Sequence, residues 1–205
     1  MPRLPCLISL GFILALTTNA YAEGGLYAGV LFGANHRPDT FLTSPGLGSE
    51  KMEFEPGYTL GGFMGYDFGN HFRMEGELSY RENNIRTGGG TSPQAGTSAM
   101  MFNIFYDSIP YKESYGIYLG GGLGVVTAQL QTISLGQDMN ENQNVFAYQL
   151  EAGVGWNITP NATFTLGYRF LDPSDPEFEL STGPRIRIEL IHHEAILKLR
   201  YRFNL

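Results

Sequence analysis

The fold is decided by the ten-residue stretch Phe72-Arg73-Met74-Glu75-Gly76-Glu77-Leu78-Ser79-Tyr80-Arg81. Along it, apolar or small residues alternate with charged or hydroxyl-bearing ones. Successive side chains of an extended strand point to opposite faces, so this period of two predicts a β-strand with one apolar and one polar face. A strand of this kind lies between two unlike environments.

The same alternation recurs along the chain. It runs from Phe146 to Asn157 and again from Glu194 to Leu205. Beyond residue 22, no segment holds a convincing helical period, and no apolar run is long enough for a membrane helix. Five further segments complete a set of eight predicted strands: Gly25–Ala34, Tyr58–Phe68, Ser98–Tyr106, Tyr115–Thr127 and Ala162–Phe170.

The connections between these strands alternate in length. The short ones are Gly69-Asn70-His71, Asp107 to Ser114, and Thr159-Pro160-Asn161. The long ones, at about 35–57, 82–97, 128–144 and 171–188, are rich in Gly, Ser, Pro, Asn and Asp. An even number of strands with short turns at one end only is the pattern of transmembrane β-barrels. The sequence therefore predicts an all-β fold, an eight-stranded antiparallel up-and-down transmembrane β-barrel.

Alternation alone does not say which face is inside. A soluble ligand carrier turns its apolar face inward, whereas an outer-membrane barrel turns it to lipid. Aromatic residues near the strand ends favour the membrane barrel, because rings collect at both membrane interfaces. The predicted aromatic girdle consists of Tyr66, Phe68, Phe72, Tyr80, Trp156, Tyr168, Tyr201 and Phe203.

The polar faces carry charges of both signs. Buried charges must be paired, so a narrow lumen would force these side chains together. The predicted lumen charge network consists of Arg73, Glu75, Glu77, Glu151, Arg169, Glu194, Lys198 and Arg200. Glycines on the same faces, at Gly120, Gly122, Gly124, Gly153 and Gly155, are expected to leave room for long Arg and Glu side chains from other strands.

Composition excludes several classes of protein. The 205 residues include 27 Gly and 16% charged residues, which is unusual for a soluble domain. A net charge of −7 argues against nucleic acid as a partner, because phosphate binding needs clustered Lys and Arg. A mean hydropathy of −0.13 argues against a helical membrane protein but is what averaging over lipid-facing and lumen-facing positions of a barrel gives.

The N-terminal segment has the features of an export signal. Arg3 precedes an apolar stretch from Leu4 to Leu16, and Ala20-Tyr21-Ala22 matches an A-x-A cleavage pattern. We expect residues 1–22 to be a signal peptide and residues 23–205 to form the barrel domain. Cys6 is the only cysteine, so cleavage would leave a chain without disulfides.

Several short motifs resemble one protein family in order and spacing. They are Gly25-Leu26-Tyr27-Ala28-Gly29, Gly65-Tyr66-Asp67-Phe68-Gly69, Glu75-Gly76-Glu77-Leu78-Ser79-Tyr80, Gly167-Tyr168-Arg169-Phe170 and Leu199-Arg200-Tyr201-Arg202-Phe203. The chain resembles the OmpA-like and opacity-protein families, eight-stranded outer-membrane barrels of Gram-negative bacteria.

The resemblance implies a location in the bacterial outer membrane, with outer-membrane lipid and lipopolysaccharide as partners. It also implies periplasmic termini, surface-exposed long loops, and a last strand read by the barrel-assembly machinery. The family usually ends in Phe, whereas here Phe203 is followed by Asn204-Leu205.

The expected function is a structural and surface-interaction role, adhesin-like, through four extracellular loops that contact a host or cell-surface ligand. The alternatives are a narrow ion-conducting pore and, with less support, a lipid A-modifying enzyme. A resembling deacylase family uses a His-x-Ser pair, yet no histidine here is followed two residues later by Ser. We interpret His192-His193-Glu194 as a polar strand end and expect no catalytic residues, cofactor, metal or nucleic acid.

Overall fold

We describe the protein from a computed structural model covering residues 24–38, 40–44, 48–86, 94–108, 114–130, 142–174, 177–178, 186–187 and 191–203. The predicted signal peptide at 1–22 lies outside these ranges, and its assignment stays a prediction. The described residues form strands connected by turns, and none of them belongs to a helix long and apolar enough to span a membrane.

Twelve strands are present in the described part of the chain. They are β1 (Gly25–His36), β2 (Thr40–Ser44), β3 (Gly48–Phe54), β4 (Gly57–Asp67), β5 (Phe72–Arg86), β6 (Gln94–Asp107), β7 (Tyr115–Leu130), β8 (Asn142–Asn157), β9 (Ala162–Pro173), β10 (Glu177–Phe178), β11 (Ile186–Arg187) and β12 (His192–Arg202).

Eight of these strands form a closed barrel. Around the wall the order is β1, β4, β5, β6, β7, β8, β9 and β12, and each neighbouring pair is antiparallel. The first and last wall strands close the ring, with Tyr27 opposite Arg202 and His36 opposite His193. The predicted eight-stranded up-and-down barrel is confirmed.

The two faces of the wall are as unlike as the sequence predicts. On β5, Arg73, Glu75, Glu77, Ser79 and Arg81 are buried and face the lumen. The intervening large apolar residues lie on the outer surface and are largely exposed; on this strand they include Phe72 and Leu78. The outer face is therefore an apolar band and the inner face is polar, the arrangement of a lipid-exposed barrel rather than of a soluble carrier.

The two ends of the barrel differ, and we call them the turn end and the loop end. The turn end holds the short connections after Asp67, Asp107 and Asn157, together with Gly25 and Arg202. At the first of these turns, Gly69 and His71 both have a φ of 73°, and the Gly69 amide donates to Asp67 Oδ1 at 2.8 Å. This compact geometry allows the four residues between β4 and β5, at 68–71, to reverse the chain.

The long connections at the loop end are partly strand, which corrects the sequence analysis. The predicted connection at 82–97 is shorter, because β5 continues to Arg86 and β6 begins at Gln94. The one at 128–144 shortens likewise, since β7 reaches Leu130 and β8 starts at Asn142. Two hairpins, β2–β3 and β10–β11, lie inside the connections predicted at 35–57 and 171–188. Alternating hydrophobicity stops at the edge of the apolar band, so the pattern does not reveal strands beyond it.

The inner-face glycines make room mainly for side chains next to them in the wall, not for charges crossing the lumen. A Cβ on Gly120 would lie 2.1 Å from the Phe105 ring, and one on Gly153 would lie 2.8 Å from the Tyr118 ring. At Gly122 the nearest atom would be Asn103 Oδ1, at 1.8 Å. Inward aromatic and amide side chains therefore lie flat over glycines of adjacent strands, which corrects the role assigned to these glycines.

Candidate functional site

The lumen is organised around Arg169 of β9. Its guanidinium donates two hydrogen bonds to Glu77 at 2.7 and 2.8 Å and two to Glu151 at 2.7 and 3.1 Å. A third carboxylate, that of Glu194, lies 3.5 Å away. The side chains of Arg169, Glu77 and Glu194 have no exposed surface. Such a charge is stable in a dry interior only when it is paired in this way.

Lys198 of β12 also contacts the two carboxylates to which Arg169 donates. Its ammonium lies 3.0 Å from Glu75, 3.1 Å from Glu151 and 3.7 Å from Glu77. The aromatic rings of Phe63 and Phe105 lie 5.2 and 4.9 Å from the same nitrogen, within the range of cation–π attraction. Lys198 and Arg169 thus share Glu77 and Glu151, and the central charges form one connected network.

On the loop-end side of this centre, Arg81 of β5 forms a two-bond ion pair with Glu194 of β12. Glu194 also accepts a hydrogen bond from the Thr59 hydroxyl at 3.1 Å, and Arg81 donates to Ser79 at 3.0 Å. The predicted lumen network omits Arg81. The signal was present, because Arg81 continues the alternation of Arg73, Glu75 and Glu77 on the charged face.

On the turn-end side, Arg73 lies between Glu75 at 3.0 Å and Asp107 at 3.0 Å. Its guanidinium also stacks over Phe105, 3.8 Å from the ring centroid. Arg200 lies at the edge of the network, 3.8 Å from Asp107. The eight predicted lumen residues therefore all face inward. Seven of them form the central network, and Arg200 lies at its edge beside Asp107 and the Tyr27 ring.

Inward aromatic residues are the part of the site that alternation did not predict. The Tyr118 hydroxyl donates to Glu151 at 2.9 Å, and the Tyr27 hydroxyl lies 3.3 Å from Glu75. Phe63 and Phe105 pack beside the cations. These rings lie in runs where the neighbouring residues are also apolar, as in Ile117-Tyr118-Leu119. In such runs, a period of two does not show which residues face the lumen and which face outward.

A neutral polar layer lies between the charges and the loop end. Asn83 donates to Asn35 Oδ1 at 2.6 Å, and Asn35 donates to Thr59 Oγ1 at 3.2 Å. His192 lies near this layer and is 1% exposed, and neither of its ring nitrogens is hydrogen-bonded to any residue that the structure describes. Arg37, which follows β1, is also buried, and burial lowers the pKa of its guanidinium to about 10.

The predicted aromatic girdle lies on the outer face, near both ends of the barrel. At the turn end, Tyr66 packs against Phe68 with ring centroids 5.3 Å apart, and Tyr201 packs against Phe203 at 5.6 Å. Phe72 and Trp156 lie at the same end, while Tyr80 and Tyr168 lie toward the loop end. Tyr58, Tyr106, Tyr115 and Tyr148 are further exposed rings on this surface.

The apolar band ends at the loop end in hydrogen-bonded tyrosines, a boundary that we call the rim. The Tyr80 hydroxyl donates to Glu82 at 3.1 Å, and the Tyr148 hydroxyl donates to Asp172 at 2.7 Å. The Tyr168 hydroxyl is hydrogen-bonded to His193 Nδ1 at 2.6 Å. Each ring lies toward the band and each hydroxyl toward the polar side, as expected of Tyr at a membrane interface.

The strand end predicted as polar, His192-His193-Glu194, is divided between the two faces. His192 and Glu194 point into the lumen, whereas His193 lies on the outer face beside Tyr168. The three side chains therefore do not converge. Within the described ranges, no cluster of three or more His, Cys, Asp and Glu residues has the arrangement of a metal site.

An eight-stranded closed barrel with an apolar outer band, aromatic interfaces and a charge-filled lumen defines an outer-membrane barrel protein. Residues 6–203 match the family model described as "Outer membrane protein beta-barrel domain". The chain belongs to that family and lies in the bacterial outer membrane.

Two curated relatives agree with this assignment. An "Outer membrane protein" of Gluconacetobacter diazotrophicus is 29% identical over 190 residues, covering 76% of this chain and 49% of the relative. A "22 kDa outer membrane protein" of Rhizobium leguminosarum bv. viciae is 24% identical over 131 residues, covering 62% of this chain and 58% of the relative. The chain thus spans about half the length of the curated relatives it matches.

Solved structures share the fold at low sequence identity. OprG from Pseudomonas aeruginosa superposes with a TM-score of 0.61 at 12% identity, over 89% of this chain and 98% of that one. Neisserial surface protein A gives 0.55 at 20% identity, over 87% and 97% of the two chains. Both are outer-membrane barrels by fold, and the likeness extends no further than the fold.

Proposed function

We propose that this protein acts as a surface-interaction, adhesin-like barrel that presents its loop end to a ligand outside the cell. The observation that carries the proposal is the unequal height of the wall. Strands β5 to β8 have 15, 14, 16 and 16 residues, whereas β1, β4, β9 and β12 have 11 or 12. Crossing a membrane takes about 9–11 residues of a tilted strand.

The additional residues of β5 to β8 extend beyond the rim on one side of the barrel. On β5 the outer face turns polar at Glu82, yet pairing with β6 continues to Asn84 opposite Gln94. Strand β3 adds to this extension, with Glu53 opposite Arg86. A hydrogen-bonded wall beyond the membrane has no role in spanning it, and it provides a rigid surface on which a ligand can dock.

The filled lumen supports the same proposal by disfavouring transport. Charged side chains that would line a pore are instead paired across it, and Arg169, Glu77 and Glu151 have at most 1% of their side-chain surface exposed. An eight-stranded barrel is only wide enough for side chains to fill it. The narrow ion pore is the rival proposal, and it requires these pairs to separate.

Adhesion by loop-shortened variants tests the proposal. In the first variant, an Asn-Gly turn replaces residues 85–93 and joins Asn84 to Gln94, which already pair; in the second, it replaces 130–141 and joins Gln129 to Asn142. A control replaces Thr159-Pro160, at the turn end, by Asn-Gly. Each protein is expressed in a non-adherent bacterial strain, and attachment to cultured cells and matrix-coated plates is counted.

We expect wild type and the turn-end control to promote attachment and the shortened variants to lose it. Slower or faster migration of the unheated sample in detergent electrophoresis verifies that each variant forms its barrel. Attachment equal to that of the empty strain for wild type, or full attachment by a protein carrying both shortened connections, would overturn the proposal.

The proposal involves no catalysis. Incubation of the purified barrel with lipid A is expected to leave every acyl chain in place, and released fatty acid that disappears in a His193→Ala variant would overturn this part. Insertion by the barrel-assembly machinery, which the family resemblance suggests, would use β12, whose end presents Phe203 on the outer face.

A further inference from the structure

Two histidines that are distant in the sequence occupy opposed positions of adjacent strands on the outer face of the barrel. His36 at the end of β1 lies directly opposite His193 of β12 in the antiparallel ladder that closes the wall. Directly opposed residues have Cβ atoms about 4.5–5.5 Å apart, and side chains on one face can reach a common point. The neighbouring residues His192 and Arg37 point inward, so the pair on the outer face is separate from the lumen network.

Tyr168 fixes the orientation of one of these imidazoles. Its hydroxyl lies 2.6 Å from His193 Nδ1, and its ring stacks on the imidazole at a centroid distance of 6.1 Å and an angle of 29°. Phe170 packs edge-on against the other side at 5.6 Å. In the tautomer with hydrogen on Nδ1, that nitrogen donates to Tyr168 and the lone pair of Nε2 is available. Histidines that bind metals are held by a hydrogen bond of this kind through their second nitrogen.

The surroundings of the pair favour a cation. Every Lys and Arg whose side chain the structure describes faces the lumen or its two mouths: Arg37, Arg73, Arg81, Arg169, Lys198, Arg200 and Arg202. None of these lies on the outer face to repel a cation there. His36 is exposed at the rim, so an ion from the medium reaches it without crossing the apolar band.

We propose that His36 and His193 form a two-imidazole binding site for a divalent transition-metal ion at the rim, with Tyr168 as a positioning residue. Imidazole ligands suit Zn²⁺, Ni²⁺ and Cu²⁺, and Cu²⁺ binds such ligands most strongly. Water completes the coordination. The site differs from the sequence-based expectation of no metal, because β1 supplies its second ligand from 157 positions away in the chain.

Cu²⁺ titration of the refolded barrel in a phosphate-free detergent tests the site. Electron paramagnetic resonance counts the coordinating nitrogens, and calorimetry gives the affinity, with Zn²⁺ as a competitor. The variants are His36→Ala, His193→Ala and Tyr168→Phe. The control is His71→Ala, which removes a partly exposed imidazole stacked on Tyr106 at the turn end.

We expect one Cu²⁺ per barrel with two nitrogen ligands. Each His→Ala variant should lose one nitrogen and at least about tenfold in affinity, and Tyr168→Phe should lose about tenfold while keeping both nitrogens. His71→Ala should bind like wild type. Unheated mobility in detergent shows that each variant is folded.

Three outcomes would overturn the proposal. They are Cu²⁺ binding no stronger than to an unrelated barrel of the same detergent content, binding by the His36→Ala and His193→Ala variants that equals binding by wild type, and loss of binding in His71→Ala. If the pair binds no Cu²⁺ but its removal weakens association with lipopolysaccharide vesicles relative to phosphatidylcholine vesicles, the site recognises lipid phosphate instead of a metal.

Discussion

Arg169 and Glu77, 92 positions apart in the sequence, meet across the full width of the barrel in a pair of hydrogen bonds of 2.7 and 2.8 Å. Their strands, β9 and β5, are four steps apart around the wall in either direction. The pair therefore connects opposite walls directly. In a soluble domain an apolar core fills the interior. Here most large apolar residues face lipid, and charge pairing connects the walls at the centre of the lumen, beside small buried apolar clusters such as Leu31, Phe63 and Ile196.

Removing one member of this pair should destabilise the barrel strongly. Arg169→Ala leaves Glu77 and Glu151 buried with only Lys198 to compensate them, and breaking a buried pair costs about 3–5 kcal/mol. The double variant Glu77→Gln/Arg169→Met removes both charges and should recover a large part of that loss. Urea unfolding in lipid vesicles measures the free energy of unfolding of both variants. A double variant as unstable as Arg169→Ala would contradict this explanation.

Glycine on the inner face should be required where a side chain of an adjacent strand covers it. Gly120→Ala places a methyl group against Phe105, and overpacking of this kind costs about 1–3 kcal/mol. Gly62→Ala, on the outer face of β4, is the control, since its Cβ would meet only Gly29 O at 3.6 Å. Combining Gly120→Ala with Phe105→Leu should restore stability in part. Equal losses for Gly120→Ala and Gly62→Ala would show that the ring contact is unimportant.

The outer face should tolerate charge according to depth. Leu119→Lys puts an ammonium near the middle of the apolar band, where Lys costs about 2–4 kcal/mol. Thr127→Lys, on the same strand beyond the band, should cost about 0–1 kcal/mol. Comparison of the two unfolding free energies in vesicles locates the membrane on the barrel. A larger loss for Thr127→Lys would place the band elsewhere.

His192 should be replaceable by an apolar residue. Both its ring nitrogens are buried without a hydrogen bond, and an unsatisfied buried polar group costs about 1–3 kcal/mol. His192→Leu is therefore expected to unfold at a higher urea concentration than wild type. Asn83→Leu, which removes the hydrogen bond to Asn35, should unfold at a lower one. A destabilised His192→Leu would indicate that the imidazole has a partner outside the described residues.

The strands of the barrel wall could be predicted from the sequence because each strand has an apolar environment on one face and a polar lumen on the other, and alternation reflects this difference. Within β5, each residue from Phe72 to Arg81 lies on the predicted face. The same physical reason explains why the loop-end extension of β5 was not predicted. Beyond Glu82 both faces of β5 carry polar residues, with Asn83 buried and Asn84 exposed, so the alternation no longer distinguishes strand from loop.

Inward aromatic residues were missed for a different reason. Tyr118 lies between Ile117 and Leu119, and its direction depends on Gly153 and Gly167 of other strands, against whose positions its ring packs. The opposition of His36 and His193 likewise depends on the register between the first and last strands. Neither the partner strand nor the register can be read from one segment of sequence.

Planar-bilayer recording of the purified protein tests directly whether paired charges close the lumen. We predict no stepwise conductance for wild type over a range of voltages, and discrete openings when Arg169→Ala and Glu77→Ala are combined. Regular conductance steps in wild type, altered in size or frequency by either single substitution, would contradict the account and establish the ion-pore alternative.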